Sequence, residues 1–223
     1  MSAAISFRGV SAVNLFERLS FEVETGSSVL IVTTGEDESD ALLRLITGMT
    51  RPMSGSVHLS GQSLGELSPS QLYLLRQEIG VVPANGGMIS NLKLWENITL
   101  PLLYTKGLVS NDGEEYIANC LLNLGYSGNV MALPAHLTLY EKRIAAFIRA
   151  TLGQPLIMVY GNCFDDMPAV ARKRFSEAAA KFHAEAAGRT SVYLVSSVEM
   201  AGDLAVDTIF RVHEPAETVT GSV

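Results

Sequence analysis

An α/β fold with a mixed sheet core and an inserted helical subdomain is what the patterning of this chain predicts, on three grounds. Short continuous apolar runs of the buried-strand kind recur, most plainly at residues 28–33 and again at 79–83, 156–159 and 191–195. Helical periodicity alternates with these runs, as where Leu42, Leu43, Leu45 and Ile46 follow the first of them. Residues 85–151 read as mostly helical, broken at Pro101, at 125–128 and at Pro134, and so form an insertion in the strand order.

Taken in order, strands are expected at 5–10 and 19–24, then the strand at 28–33 and a helix over 37–47, with Gly48 as its stop signal and Pro52 just beyond. Strands at 56–59 and 79–83 flank a helix at 70–77. After the helical insertion come a strand at 156–159, a long Ala-rich helix over 167–187 ended by Gly188, a strand at 191–195 and a last strand at 208–212. Residues 213–223 are expected to form a tail. A length of 223 residues with 48% hydrophobic content is enough to bury a full core, as one domain or as a main domain carrying a subdomain.

A formal net charge of -7 argues against a nucleic-acid partner, because binding to a polyphosphate backbone is driven by Lys and Arg releasing counterions. No apolar run approaches the roughly 18 to 20 residues that cross a bilayer, and residues 1–7 lack the basic and apolar regions of a signal peptide. The expectation is therefore a cytoplasmic chain without a transmembrane segment. Cys120 and Cys163 stand alone in apolar sequence without metal-ligand spacing, and read as reduced packing residues. His58, His136, His183 and His213 are scattered and form no metal or triad spacing, so surface or packing roles are expected of them.

Several landmarks together resemble one family. LLRLITGMTRPMSGSVHLSGQSL, residues 42–64, is similar to the segment that follows the phosphate loop in ATP-binding-cassette (ABC) ATPases, a P-loop NTPase-like fold. IGVVPANGGMISNLKLWENITLPLLY, residues 79–104, resembles the family's glutamine-loop segment, and its ISNLKLWENITLPL portion looks most like ATPase subunits of bacterial MCE-type lipid transporters. LPAHLTLYEKRIAAFIRATLGQP at 133–155 resembles the signature loop and helix, PLIMVYGNCFDDM the Walker B region, and TSVYLVSSVEMAGDLAVDTIFRV at 190–212 the switch-loop region. The resemblance implies a nucleotide-binding-like core of residues 1–84 and 152–212, a helical subdomain of residues 85–151 and a tail of 213–223.

The residues that would carry nucleotide chemistry in that family are different here. The phosphate loop G-x-x-x-x-G-K-[ST] falls on residues 33–40, where Thr33 replaces the first Gly, Glu38 the second, Ser39 the Lys and Asp40 the magnesium-binding hydroxyl. At roughly 5 Å and surface-like dielectric, each of Glu36, Asp37, Glu38 and Asp40 would repel a phosphate charge by about 1 to 3 kcal/mol. Ala84 stands at the glutamine, Gly161 and Asn162 at the Asp-Glu pair ending the Walker B strand, and Ser197, beside Ser196, at the switch histidine. Asn162 cannot accept a proton as a general base. Phe16 is the one aromatic where the adenine-stacking residue would lie, and reads as core. The acids are expected to serve the helix instead, with Asp37 or Ser39 as N-cap and the other carboxylates in the first turn, where unpaired N–H groups and the dipole favour negative charge. A hard-cation site on this loop is the rival reading, although the spacing is not that of an EF-hand.

The signature motif Leu-Ser-Gly-Gly-Gln is replaced by Leu137, Thr138, Leu139, Tyr140 and Glu141. Leu139 and Tyr140 are expected to place side chains where two glycines would admit a phosphate, while Thr138 and Glu141 keep a capping box. No catalytic residue and no metal ligand is assigned, and binding of ATP and magnesium is expected to be lost. The resemblance implies a pseudo-ATPase subunit peripheral to the inner face of a membrane, docked on a permease and paired with itself or an intact ATPase. Met88, Ile89, Leu92 and Trp95 would receive the permease helix in a groove, or else pack within the subdomain. The alternatives are an unorthodox ATP-binding hydrolase with low residual turnover and a soluble regulatory dimer.

Overall fold

The computed structural model describes residues 3–104, 111–201 and 204–213, and the tail expected at 213–223 lies outside them except for His213, which is not loose but bonded to Glu38. Its elements are β1 (Ala3–Ala12), β2 (Phe16–Glu24), β3 (Ser28–Val32), α1 (Glu36–Ile46), β4 (Ser54–Leu59), β5 (Gln62–Ser63), α2 (Pro69–Arg76), β6 (Ile79–Val82), α3 (Leu94–Tyr104), α4 (Asn111–Asn123), α5 (Leu139–Leu152), β7 (Ile157–Gly161), α6 (Ala169–Ala184), β8 (Thr190–Val195) and β9 (Thr208–Arg211). The mixed core consists of two sheets, a four-stranded antiparallel one ordered β2-β1-β4-β5 and a five-stranded one ordered β6-β7-β8-β3-β9. Every pairing in the second sheet is parallel.

The continuous apolar runs follow from that second sheet, because a parallel sheet is covered on both faces. Val29 and Ile31 of β3, Ile157 and Val159 of β7, and Val192 and Leu194 of β8 join one core with α1 and the antiparallel sheet. The alternate residues Leu30, Met158, Tyr160, Tyr193 and Val195 join the other core, shared with α3, α4, α5 and α6. Period-two geometry thus lets one strand serve two cores. Tyr160 and Tyr193 are in register across β7 and β8 and stack at 4.7 Å.

Two features differ from the expected order of elements. A break was expected at Pro101, yet α3 runs through it to Tyr104. Pro101 sits in the last turns of the helix, where the missing N–H disturbs only one ladder position. The short strand β5, paired to β4 through His58 and Leu59, was not anticipated, since two residues carry no period.

Arg189 closes the junction between α6 and β8. It is 2% exposed, donates from Nε to the Pro155 carbonyl at 3.0 Å and from Nη2 to Gln154 Oε1 at 3.0 Å, and also bonds the Phe182 carbonyl. Its guanidinium lies 3.6 Å from the centre of the Phe182 ring. A guanidinium satisfies three acceptors and an aromatic face at once because its donors form a rigid planar fork. Replacing Arg189 by Ala leaves buried acceptors unpaired and is expected to lower stability by about 3 kcal/mol in denaturant unfolding. Arg189→Lys is expected to recover less than half of the loss, since one ammonium cannot span the same acceptors.

Candidate functional site

The loop between β3 and α1 is built around a buried carboxylate. Glu38 is 1% exposed, and its Oε2 accepts from the Thr34 N–H at 2.7 Å and from the Thr34 hydroxyl at 3.3 Å. Its Oε1 accepts from His213 Nε2 at 2.7 Å, so the end of the last strand is tied to the loop. Thr33 fastens the other side, its N–H donating to the Val195 carbonyl at 2.9 Å.

The expected cap is therefore corrected. Neither Asp37 nor Ser39 caps α1; the N-cap is Gly35, in extended backbone with no side-chain cap bond. Glu38 reaches back one turn instead, because from the third helical position a carboxylate can span to the preceding loop amide. Glu36, Asp37 and Glu38 all sit in the first turn, where they complement the helix dipole. His213 escaped the sequence reading because 175 residues separate it from its partner.

A cleft of about 460 Å³ opens beside this helix start. Its walls bring together most of the predicted positions, namely Ser39 and Asp40 from α1, Ala84 after β6, Gly161 and Asn162 at the end of β7, and Leu139 at the start of α5. Thr33, Glu38 and Ser197 are not on its walls. Ser197 instead accepts a hydrogen bond from the Glu199 N–H at 3.2 Å, and Ser196 donates to Asp165 Oδ2 at 2.7 Å. Asn162 is buried at φ 44° and neither atom of its side-chain amide has a hydrogen-bond partner. No group of three or more His, Cys, Asp or Glu able to hold a metal ion occurs among the described residues.

The start of α5 keeps its capping box: the Glu141 N–H donates to Thr138 Oγ1 and the Thr138 N–H donates to Glu141 Oε2 at 2.7 Å. Leu139 lines the cleft. Tyr140 does not: its ring packs into the helical core and its hydroxyl donates to the Leu124 carbonyl at 2.7 Å. An amphipathic phenol with a carbonyl in reach buries its ring and satisfies its oxygen there. Phe16 is buried in the core of the antiparallel sheet, as expected.

Segment 84–95 is pinned by three side chains that the sequence reading missed. Arg143, buried, donates from Nε to the Ala84 carbonyl at 2.7 Å and from Nη1 to the Asp165 carbonyl at 2.8 Å. Arg149 donates from Nη1 to the Gly87 carbonyl at 2.9 Å and from Nη2 to that of Gly86. Asn97 is fully buried; its Oδ1 accepts from the Ile89 N–H at 2.8 Å, and its Nδ2 donates to the carbonyls of Ile89, Leu92 and Lys93. An Asn inside an apolar helical run was the available signal. Gly86 permits the close approach: at φ 76°, an added Cβ would lie 2.7 Å from the Lys142 backbone.

Of the proposed docking residues, Met88 and Trp95 pack against the helical core and Leu92 is half-buried, which leaves Ile89 as the exposed one. Burial pushes the thiols of Cys163 and Cys120 above the usual range, and in Cys163 it outweighs the opposing influence of Arg143. Burial also lowers Arg149 from its ordinary value.

Two sheets, a helical insertion and a cleft where β3 meets α1 define a nucleotide-binding cassette architecture. The chain belongs to the ABC transporter family, whose model matches residues 16–165. A methionine import ATP-binding protein MetN of Photobacterium profundum is 25% identical over 155 residues, covering 70% of this chain and 45% of that protein. A MetN 2 protein of Paraburkholderia xenovorans is 32% identical, covering 68% of this chain and 39% of that protein. The chain thus spans less than half the length of these relatives. Among solved structures, the ATP-binding cassette MJ0796, a dimer bound to ADP and Pi, superposes with a TM-score of 0.83 at 18% identity over 98% of this chain and 100% of that one. CbiO1 from Clostridium perfringens gives a TM-score of 0.75 at 13% identity over 95% of this chain and 85% of that one.

Substituting Glu38 by Ala strips the Thr34 N–H and His213 of their acceptor, and is expected to cost about 2 kcal/mol of stability. His213→Ala is expected to cost less, since Glu38 keeps its bonds to Thr34. Thermal and denaturant unfolding of the two variants checks the order.

Proposed function

We propose that this chain is a catalytically silent cassette subunit of a membrane transporter, acting in assembly and coupling rather than in ATP hydrolysis. One observation carries the reading: the carboxylate of Glu38, at the position of the family's second phosphate-loop glycine, takes up the Thr34 N–H at 2.7 Å. Loop amides that could meet a phosphate are the usual anion cradle of this fold, and here one of them is bonded to the protein's own acid.

The residues of the cleft do not fit a magnesium-bound triphosphate. Ser39 stands where a lysine would neutralise phosphate, Asp40 where a hydroxyl would hold magnesium, and Ala84 and Gly161 offer no ligand. Asp40 is moreover engaged by Arg44 at 2.6 Å. Asn162, at the position of the general base, can orient a group but cannot take its proton.

Coupling and docking draw on different residues from hydrolysis. Segment 84–95 is joined to the cleft wall through Arg143, which spans Ala84 and Asp165, and is held in shape by Arg149 and Asn97. Docking would place exposed Ile89 against a helix of a permease on the inner face of the membrane, with a second cassette, either this chain or an intact ATPase, as the dimer partner. No helix among the described residues is long and apolar enough to cross a membrane, so the membrane part would belong to another chain or segment. A lipid cargo is the finer reading, and rests on the likeness of residues 89–102 to MCE-type subunits.

Titrating the chain with magnesium and ATP in calorimetry and thermal shift is the direct test. A ligand bound only by the native state must raise its melting temperature. No shift is expected up to millimolar ATP; saturable binding, or turnover abolished by substitution at Asn162, would reverse the reading.

A further inference from the structure

At its carboxyl-terminal end α1 borders a second concavity, of about 500 Å³, lined also by the loop that follows it, by β4 and β5 and by α2. Its floor is apolar: Leu45, Val57 and Leu64 are buried, and Leu67 and Leu72 are half-buried along it. A volume of that order falls within the range of small-molecule sites, about 300 to 1,000 Å³. None of its lining residues also lines the cleft at the start of α1.

Two guanidiniums and one carboxylate share this lining, Arg51, Arg76 and Glu66. Arg76 is fixed by the end of α1: its Nε donates to the Thr47 carbonyl at 2.9 Å and its Nη2 to the Gly48 carbonyl at 2.7 Å. Those bonds leave Nη1 for another acceptor, and a guanidinium already held in place loses little further freedom in binding one. Arg51 is exposed and has no hydrogen bond or ion pair among the described residues. With Glu66 as the one acid, positive charge is in excess.

The ligand chemistry follows from the pairing of that charge with the floor. An alkyl chain laid over the leucines removes apolar surface from water, and an anionic head accepts charge-assisted hydrogen bonds from guanidinium N–H groups. A cationic head would be repelled by the excess charge. The lining contains no aromatic ring on which a planar ligand could stack.

We propose that this cavity binds a medium-chain fatty carboxylate, its alkyl chain over Leu64, Leu67 and Leu72 and its carboxylate met by Arg51 and Arg76. Because the cavity and the cleft share no residue, the outcome is separate from that of the ATP titration.

Decanoate is the probe, titrated calorimetrically into the full chain below its micelle concentration at constant ionic strength, beside octanoate and decyltrimethylammonium. Saturable decanoate binding is expected, with octanoate roughly tenfold weaker because it buries two fewer methylenes. Arg51→Gln should weaken decanoate roughly two- to fivefold, and Glu66→Gln should tighten it by a similar factor. Gly65 lines the cavity, and a Cβ added there meets no atom within 4 Å. Gly65→Phe therefore places a ring at the mouth without a clash, and should weaken decanoate by roughly tenfold or more while the melting temperature without ligand is unchanged. The proposal is overturned by a decanoate response no larger than that of sodium chloride, by decyltrimethylammonium binding as tightly as decanoate, or by unchanged affinity in Gly65→Phe or in Arg51→Gln.

Discussion

The start of α1 is the constraint on which the rest of the site depends. A helix beginning directly after a buried parallel strand presents unpaired N–H groups and a positive dipole end, and something negative must answer them. In this chain acidic side chains of its own stand there. Glu38 turns back onto Thr34 and is held from its other oxygen by His213, while Glu36 and Asp37 occupy the same turn.

The same corner joins distant parts of the chain. β9 lies parallel beside β3, and the Val212 N–H donates to the Val32 carbonyl at 3.2 Å. His213 then falls within reach of Glu38. An edge strand is a weak element on its own, with one side of its ladder unpaired. Here a charge-assisted bond to a buried carboxylate secures its end.

Across the cleft, backbone carbonyls are held by the side chains of Arg143, Arg149 and Asn97. Arg143 and Arg149 project from α5 onto segment 84–87, and Asn97 folds residues 89–93 over the start of α3. These bonds join the helical insertion to the parallel sheet at its carboxyl-terminal edge, where the strand ends of open α/β sheets gather their functional loops. Segment 84–95 is in this way held in a fixed relation to the cleft wall.

Strand and helix order was legible in the chain because both signals are local: apolar runs for strands covered on two faces, and three-to-four spacing for α1, α5 and α6. The capping box of Thr138 and Glu141 was equally readable, since its partners are three residues apart. Ser39, Asp40, Ala84, Gly161 and Asn162, singled out by register, are found on the walls of one cleft. What the sequence could not reveal were pairings across long separations and choices between equivalent local options. The carboxylate that answers the helix start, the burial of Tyr140 away from the cleft, the packing of Met88 and Trp95, the reach of Arg143 to Ala84 and Asp165, and the meeting of Glu38 with His213 were decided only when the tertiary fold placed donors beside acceptors. A residue type states which bonds it can make, and only the packed chain determines which partner lies within 3 Å.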